Sequence, residues 1–319
     1  MSMKKIKIYE VKSEIGAGTR GASLGSEAIK IAALDFGSTF FKKNRTVEIP
    51  NENRLLMEPD KHFDAKRING LHKMFTKIAA ELVPVLKNDK VFPIILGGDH
   101  STAAATITAI KMANPKKRLG VIWIDAHADI HSPYTTPSGN MHGMPLSIVL
   151  AEDNQEKKLN KLDDYTVQWW EKLKDFGGLS PKIQYQDLVY VAVRDTEPQE
   201  DYLIKRHKIK SYSVTELRKK GVDRIAHEIL NQLEDCDLIY ISFDIDCLDP
   251  TISKGTGTRA PGGLDEREAG NLLLRLVRDS KVCCFEMVEI NPTLDDENRT
   301  AEHAFEILSK VTNQITHEL

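Results

Sequence analysis

Seven short runs of apolar, largely β-branched residues alternate along this chain with longer stretches of helical periodicity. The runs are KIKIYEV (5–11), VFPIIL (91–96), LGVIWI (119–124), DLVYVAV (187–193), KSYSV (210–214), DLIYISF (237–243) and VCCFEMVEI (282–290). Amphipathic segments between them include residues 64–86, 224–234 and 267–279. Continuous apolar runs mark strands buried on both faces, and their alternation with helices marks βαβ units. The chain therefore reads as α/β, a three-layer α/β/α fold around a mostly parallel central sheet. Its 319 residues contain no Pro/Gly/Ser-rich linker, repeat or low-complexity tract, so a single domain over 1–319 is expected.

Composition excludes several classes of partner. A formal net charge of −3, with 29% charged residues, offers no basic field to nucleic acid or an anionic membrane. No apolar run nears the roughly 20 residues of a spanning helix. The opening MSMKKIKIYEV lacks the apolar stretch of a secretory leader. Cys236, Cys247, Cys283 and Cys284 form no CxxC pair, which suits free thiols in a reducing, cytoplasmic compartment.

Three of the strand ends carry one kind of chemistry. VFPIIL runs into GGDHS (97–101), with His100. LGVIWI runs into DAHAD (125–129), with Asp125, His127 and Asp129 at every second position, on one face if the strand continues. DLIYISF runs into DIDCLDP (244–250), with Asp244 and Asp246. Ligands of open α/β sheets gather outside the carboxyl ends of the strands, so the three clusters can share one crevice. One such cluster alone reads as readily as a helix cap or a tight turn. Three together need a counter-charge, because His100 and His127 as neutral ligands with four ionised aspartates carry −4. Two divalent cations cancel that charge, and six ligands serve two ions if some aspartates bridge. Oxygen-rich coordination with imidazole suits Mn²⁺.

GGDHS (97–101), DAHAD (125–129) and SFDIDCLDP (242–250) resemble the three metal motifs of the ureohydrolase family, the arginases and agmatinases, from the first strand to about residue 310. SGNMHGMP (138–145) resembles the arginase branch of that family. The resemblance implies an arginase-like fold and two Mn²⁺ ions per subunit. It implies a metal-bridging hydroxide that hydrolyses the guanidinium group of L-arginine to L-ornithine and urea. Asp125 and Asp244 would bridge the metals, His100 and Asp129 completing one site and His127 and Asp246 the other. Of the catalytic groups, His142 would shuttle protons, Glu289 would pair with the guanidinium and Asp129 would hold metal. Thr136, Ser138 and Asn140 would hold the α-carboxylate, and Thr258 would stand beside the metal site. A homo-oligomer, trimer or hexamer, is implied as well.

The chain departs from that pattern at three positions. His131 stands where arginases usually carry an Asn that helps bind the α-carboxylate. Glu197 stands for an Asp that reaches the α-ammonium, and Arg259 for a residue that is more often Pro. These changes leave open another guanidino substrate, such as agmatine or guanidinobutyrate. A one-zinc deacetylase on a similar fold is disfavoured by Asp129 and His100, which would complete a second metal site. A metal-bound but inactive scaffold is disfavoured by the presence of every ligand together with His142 and Glu289.

Overall fold

The computed structural model describes residues 4–317. Residues 1–3, which open the stretch read for a leader, lie outside them. Eight strands form one sheet: β1 (Lys5–Val11), β2 (Thr46–Glu48), β3 (Val91–Gly97), β4 (Leu119–Ile124), β5 (Leu188–Val191), β6 (Lys210–Tyr212), β7 (Leu238–Asp244) and β8 (Val282–Val288). Their order is β2-β1-β3-β8-β7-β4-β5-β6, and every pairing is parallel.

All seven expected strands are present; β1 and β4 match the expected bounds, β3 extends to Gly97, and others are trimmed by local backbone chemistry. β5 stops at Val191 because Ala192 takes a left-handed φ of 69°. β6 stops at Tyr212 because Ser213 caps the following helix, its side chain accepting the Glu216 N–H. β2 was not legible in the sequence: three half-buried to exposed residues at a sheet edge carry no periodic signal.

Helices cover both faces. On one, Trp123 and Tyr190 pack with Leu71 and Phe75 of helix Ile68–Leu86, Ile107 of Ala103–Ala113 and Trp170 of Asp164–Lys174. On the other, Ile122 and Ile241 pack with Ile29 of Gly25–Asp35, Ile229 of Val222–Gln232, Leu273 of Glu266–Leu276 and Leu308 of Arg299–His317. β4, the apolar run LGVIWI, is buried at all six residues, as a strand between two helical layers must be. The four cysteines are free. No helix among the described residues is long and apolar enough to cross a membrane.

Strand order positions the site. β3, β8, β7 and β4 are consecutive in the sheet although far apart in the chain, so their carboxyl ends stand side by side. The chain leaves β3 on one side of this group and resumes at β4 on the other, which opens a crevice there.

Candidate metal centre and substrate pocket

After β3 the chain turns through Gly98 and Asp99 into a short 3₁₀ turn that begins at His100. Gly98 is required by close approach: a Cβ there would lie 2.1 Å from the Ser13 carbonyl oxygen. Asp99 accepts the Gly16 and Ser101 N–H groups, so it braces the loop. The His100 ring lies flat on Trp123, with centroids 4.1 Å apart, and its Nε2 is 2.7 Å from Ser242 Oγ. That contact leaves Nδ1 facing three carboxylates: Asp125 at 3.0 Å, Asp129 at 3.1 Å and Asp244 at 3.2 Å.

The DAHAD motif is not the strand continuation that its alternation suggested. β4 ends at Ile124, and Asp125 to Asp129 form an irregular turn in which Asp129 adopts a φ of 48°. The turn sends the side chains to different partners. Asp125 lies between the two histidines, while His127 turns its Nδ1 to Asp246 at 3.0 Å and Asp125 at 3.4 Å. Backbone donors fix the acids: Asp125 accepts the His127 N–H, Asp244 the Asp246 N–H, and Asp246 the Ala126 N–H. His100, Asp125 and Asp129 form one group able to hold a metal, and Asp125, His127 and Asp246 a second. Asp125 belongs to both.

The donor set fits cations. His100 Nδ1 and Asp125 Oδ2 are buried with no hydrogen-bond partner of acceptable geometry. Burial and neighbouring acids push Asp244 well above the usual carboxylate range, raise Asp246, and raise Asp129 to about 6. Asp125 is held low, because the two histidines outweigh its burial. Carboxylates crowded this closely repel one another unless positive charge lies among them.

A cavity of about 370 Å³ leads from this cluster to the surface. Glu289 forms its wall, at a left-handed φ of 64° held by its N–H to the Gly98 carbonyl. A non-glycine residue in that region costs about 1 kcal/mol, and here the turn aims a buried carboxylate into the pocket. Glu289 Oε1 accepts the His100 N–H and stands 3.1 Å from His142 Nδ1. Burial alone would lower the His142 pKa, but the Glu289 carboxylate outweighs it and raises it to about 9. Burial raises and His142 lowers Glu289, with a net fall. Two of the three expected catalytic groups, His142 and Glu289, are thus a hydrogen-bonded pair.

The remaining expected residues line the same cavity. Thr136 Oγ1 accepts the Gly139 N–H and is largely committed to the turn. Ser138 Oγ accepts the Asn140 N–H, and Asn140 Oδ1 accepts from Lys66 Nζ. Thr258 donates to Asp246 at 3.1 Å. Arg259 reaches the cavity rim, with Nη2 donating to the Leu294 carbonyl. His131 Nε2 is 3.0 Å from Glu197 Oε2, so these two departures meet each other. That contact lowers Glu197 to about 2.

Three neighbours escaped sequence reasoning. Glu200 closes a capping box with Glu197 at the start of helix Pro198–His207, and burial raises its pKa to about 8. An acid at the cap and another three residues on, in EPQE, was the available signal. Lys66 comes from a distant segment with no local signal, and Ser242 opens the SFDIDCLDP motif on β7 without any local sign of its contact with His100.

The parallel sheet, the crevice at its strand ends and the acid–imidazole cluster inside define an α/β enzyme whose centre is built to hold cations. The sequence matches the Arginase family over residues 4–312. The chain belongs to that family and is an arginase-family hydrolase. It is 32% identical over 314 residues to an arginase of Brevibacillus brevis, with 97% of each chain covered. The native structure of Bacillus caldovelox arginase at pH 5.6 superposes with a TM-score of 0.82 at 31% identity, covering 97% of this chain and 98% of that one. Formimidoylglutamase from Bacillus subtilis, at 22% identity and a TM-score of 0.75, covers all of this chain and 89% of that one and shares the fold.

Proposed function

We propose that this protein hydrolyses L-arginine to L-ornithine and urea. One observation carries this assignment: the two His/Asp groups that share Asp125 open into one cavity with the buried His142–Glu289 pair and the polar turn of Thr136, Ser138 and Asn140. His100, Asp125, His127, Asp129, Asp244 and Asp246 would hold two divalent cations, Mn²⁺ being suited to the donor set. Such ions supply Lewis acidity and a water activated near neutral pH.

The protein groups do the rest. Glu289 presents a buried carboxylate to the planar, cationic guanidinium, which accepts fork-like pairing. As the guanidino carbon takes the water oxygen, its bond to the chain nitrogen breaks, and that nitrogen needs a proton. His142, tied to Glu289 through Nδ1, keeps Nε2 to deliver it. Ser138 and Asn140 receive the α-carboxylate, Glu197 is the acid for the α-ammonium, and His131 stands beside it. Thr258 steadies Asp246. We also assign the protein to the cytoplasm, as one domain in a homo-oligomer.

Mn²⁺-loaded protein incubated separately with L-arginine, agmatine and 4-guanidinobutyrate, with urea as the readout, tests the assignment. Agmatine lacks the carboxylate and leaves the polar turn unpaired. In a wet mouth this disfavours it by about 10²-fold in kcat/KM. Equal specificity constants for arginine and agmatine would replace this assignment with a general guanidino hydrolase.

A further inference from the structure

The acid available to an α-ammonium at the pocket mouth already has a partner. Glu197 Oε2 lies 3.0 Å from His131 Nε2, and the histidine is fixed from behind by Thr135 Oγ1, 3.0 Å from its Nδ1. His131 is 6% exposed, its backbone is tied to the Gly143 carbonyl through its main-chain N–H, and both ring nitrogens have partners, so the ring cannot swing away cheaply. The contact needs one N–H donated from the ring, which a neutral or a charged imidazole provides. Glu200 does not replace Glu197 as an acceptor. It is buried, with Oε1 accepting the Ile130 N–H and Oε2 the Glu197 N–H. Asp195 also lines the cavity, but its carboxylate stands 3.8 Å from His127 Nε2, toward the His/Asp cluster.

We propose that the His131–Glu197 pair is a specificity element that competes with the substrate's α-ammonium, so that this pocket accepts guanidino acids with no α-ammonium nearly as well as arginine. The proposal rests on the arginase assignment. An ammonium entering the mouth must share or displace the His131 contact before it gains the Glu197 carboxylate. A substrate with only a carboxylate at that end leaves the pair intact and still meets Ser138 and Asn140. Hydrogen bonds to charged groups contribute about 1.5–3 kcal/mol, so an unshared Glu197 would favour an ammonium about tenfold or more. The pair removes most of that preference.

The test compares L-arginine with 5-guanidinopentanoate, which differs from it only by the α-ammonium. Each protein is Mn²⁺-loaded, and the readout is the ratio of the two kcat/KM values, which cancels general losses of folding or metal. The native protein should prefer arginine by less than about tenfold. His131→Asn, too short to reach Glu197, should widen the ratio about tenfold. His131→Gln, which restores a donor at similar reach, should keep it narrow. Adding Glu197→Gln to His131→Asn should abolish the widening. An unchanged ratio in His131→Asn, with both substrates still hydrolysed, would overturn the pairing proposal and leave the arginase assignment standing. Urea from agmatine alone would overturn the assignment and the proposal with it.

Discussion

Asp244→Asn should stabilise the metal-free protein while removing most of its response to metal. Asp244 Oδ1 accepts the Asp246 N–H at 2.8 Å, and an asparagine oxygen keeps that bond. Its Oδ2 lies 3.2 Å from His100 Nδ1, which is also 3.0 Å from Asp125 and 3.1 Å from Asp129. The three oxygens therefore lie within about 6 Å of one another, where at an effective dielectric of 20 each ionised pair costs about 3 kcal/mol. Attraction to a protonated His100 returns about 5 kcal/mol on the same scale. Repulsion from two neighbours thus cancels the attraction, and the cost of burying the charge is left uncompensated. Burial first, then the nearby Asp246 and Asp125 carboxylates, raise the Asp244 pKa against the lowering effect of His100. A carboxyl whose folded pKa exceeds its unfolded value removes stability as pH rises above the ordinary aspartate range. At pH 8, with chelator, the variant should gain about 1–2 kcal/mol, roughly 2–6 °C in Tm, and the gain should vanish toward pH 4. With metal at a hundred times Kd the native protein gains about 2.7 kcal/mol, and the variant should lose most of that. Calorimetry on chelated and Mn²⁺-loaded samples measures both effects. A chelated variant less stable than native at pH 8 by more than about 1 kcal/mol, or a full metal-induced shift, would refute the electrostatic account.

Three other outcomes are expected. Ser242→Ala removes the 2.7 Å partner of the buried His100 Nε2 and should weaken metal binding about 10–100-fold by titration calorimetry, while the unpaired nitrogen lowers stability in chelator by about 1–3 kcal/mol. His142 has a folded pKa raised to about 9, so its pairing with Glu289 contributes fully below its unfolded pKa of about 6.5 and fades as pH rises through 9. His142→Asn should therefore lower the chelated Tm most near pH 6 and hardly at all above pH 9, while turnover falls and metal content stays constant. Gly98→Ala drives a Cβ to 2.1 Å from the Ser13 carbonyl and should cost more than about 3 kcal/mol in urea unfolding.

Several elements were legible because their signals are local. The runs became β1, β3, β4, β5, β6, β7 and β8; the inner strand β4, covered by helices on both faces, is apolar throughout, whereas the edge strand β6 is KSY with only Tyr212 buried. The acids and imidazoles of GGDHS, DAHAD and DIDCLDP stood out because crowded carboxylates make sense only around a cation. Strand alternation does not continue through DAHAD. Backbone turn geometry, including the left-handed Asp129, overrode strand periodicity one residue past Ile124.

The layered parallel sheet and the clusters of acids and imidazoles at three strand ends were legible in the sequence, because hydrophobic periodicity and side-chain chemistry are carried by neighbouring residues. Tertiary structure alone decided that β8 lies between β3 and β7, which brings Glu289 against His142 and the His100 backbone. It alone decided that Lys66 reaches Asn140 and that His131 occupies Glu197. These are contacts across 66 to 189 residues of chain. No local propensity encodes them, because they follow from the order in which strands pack and from the turns that aim their last side chains.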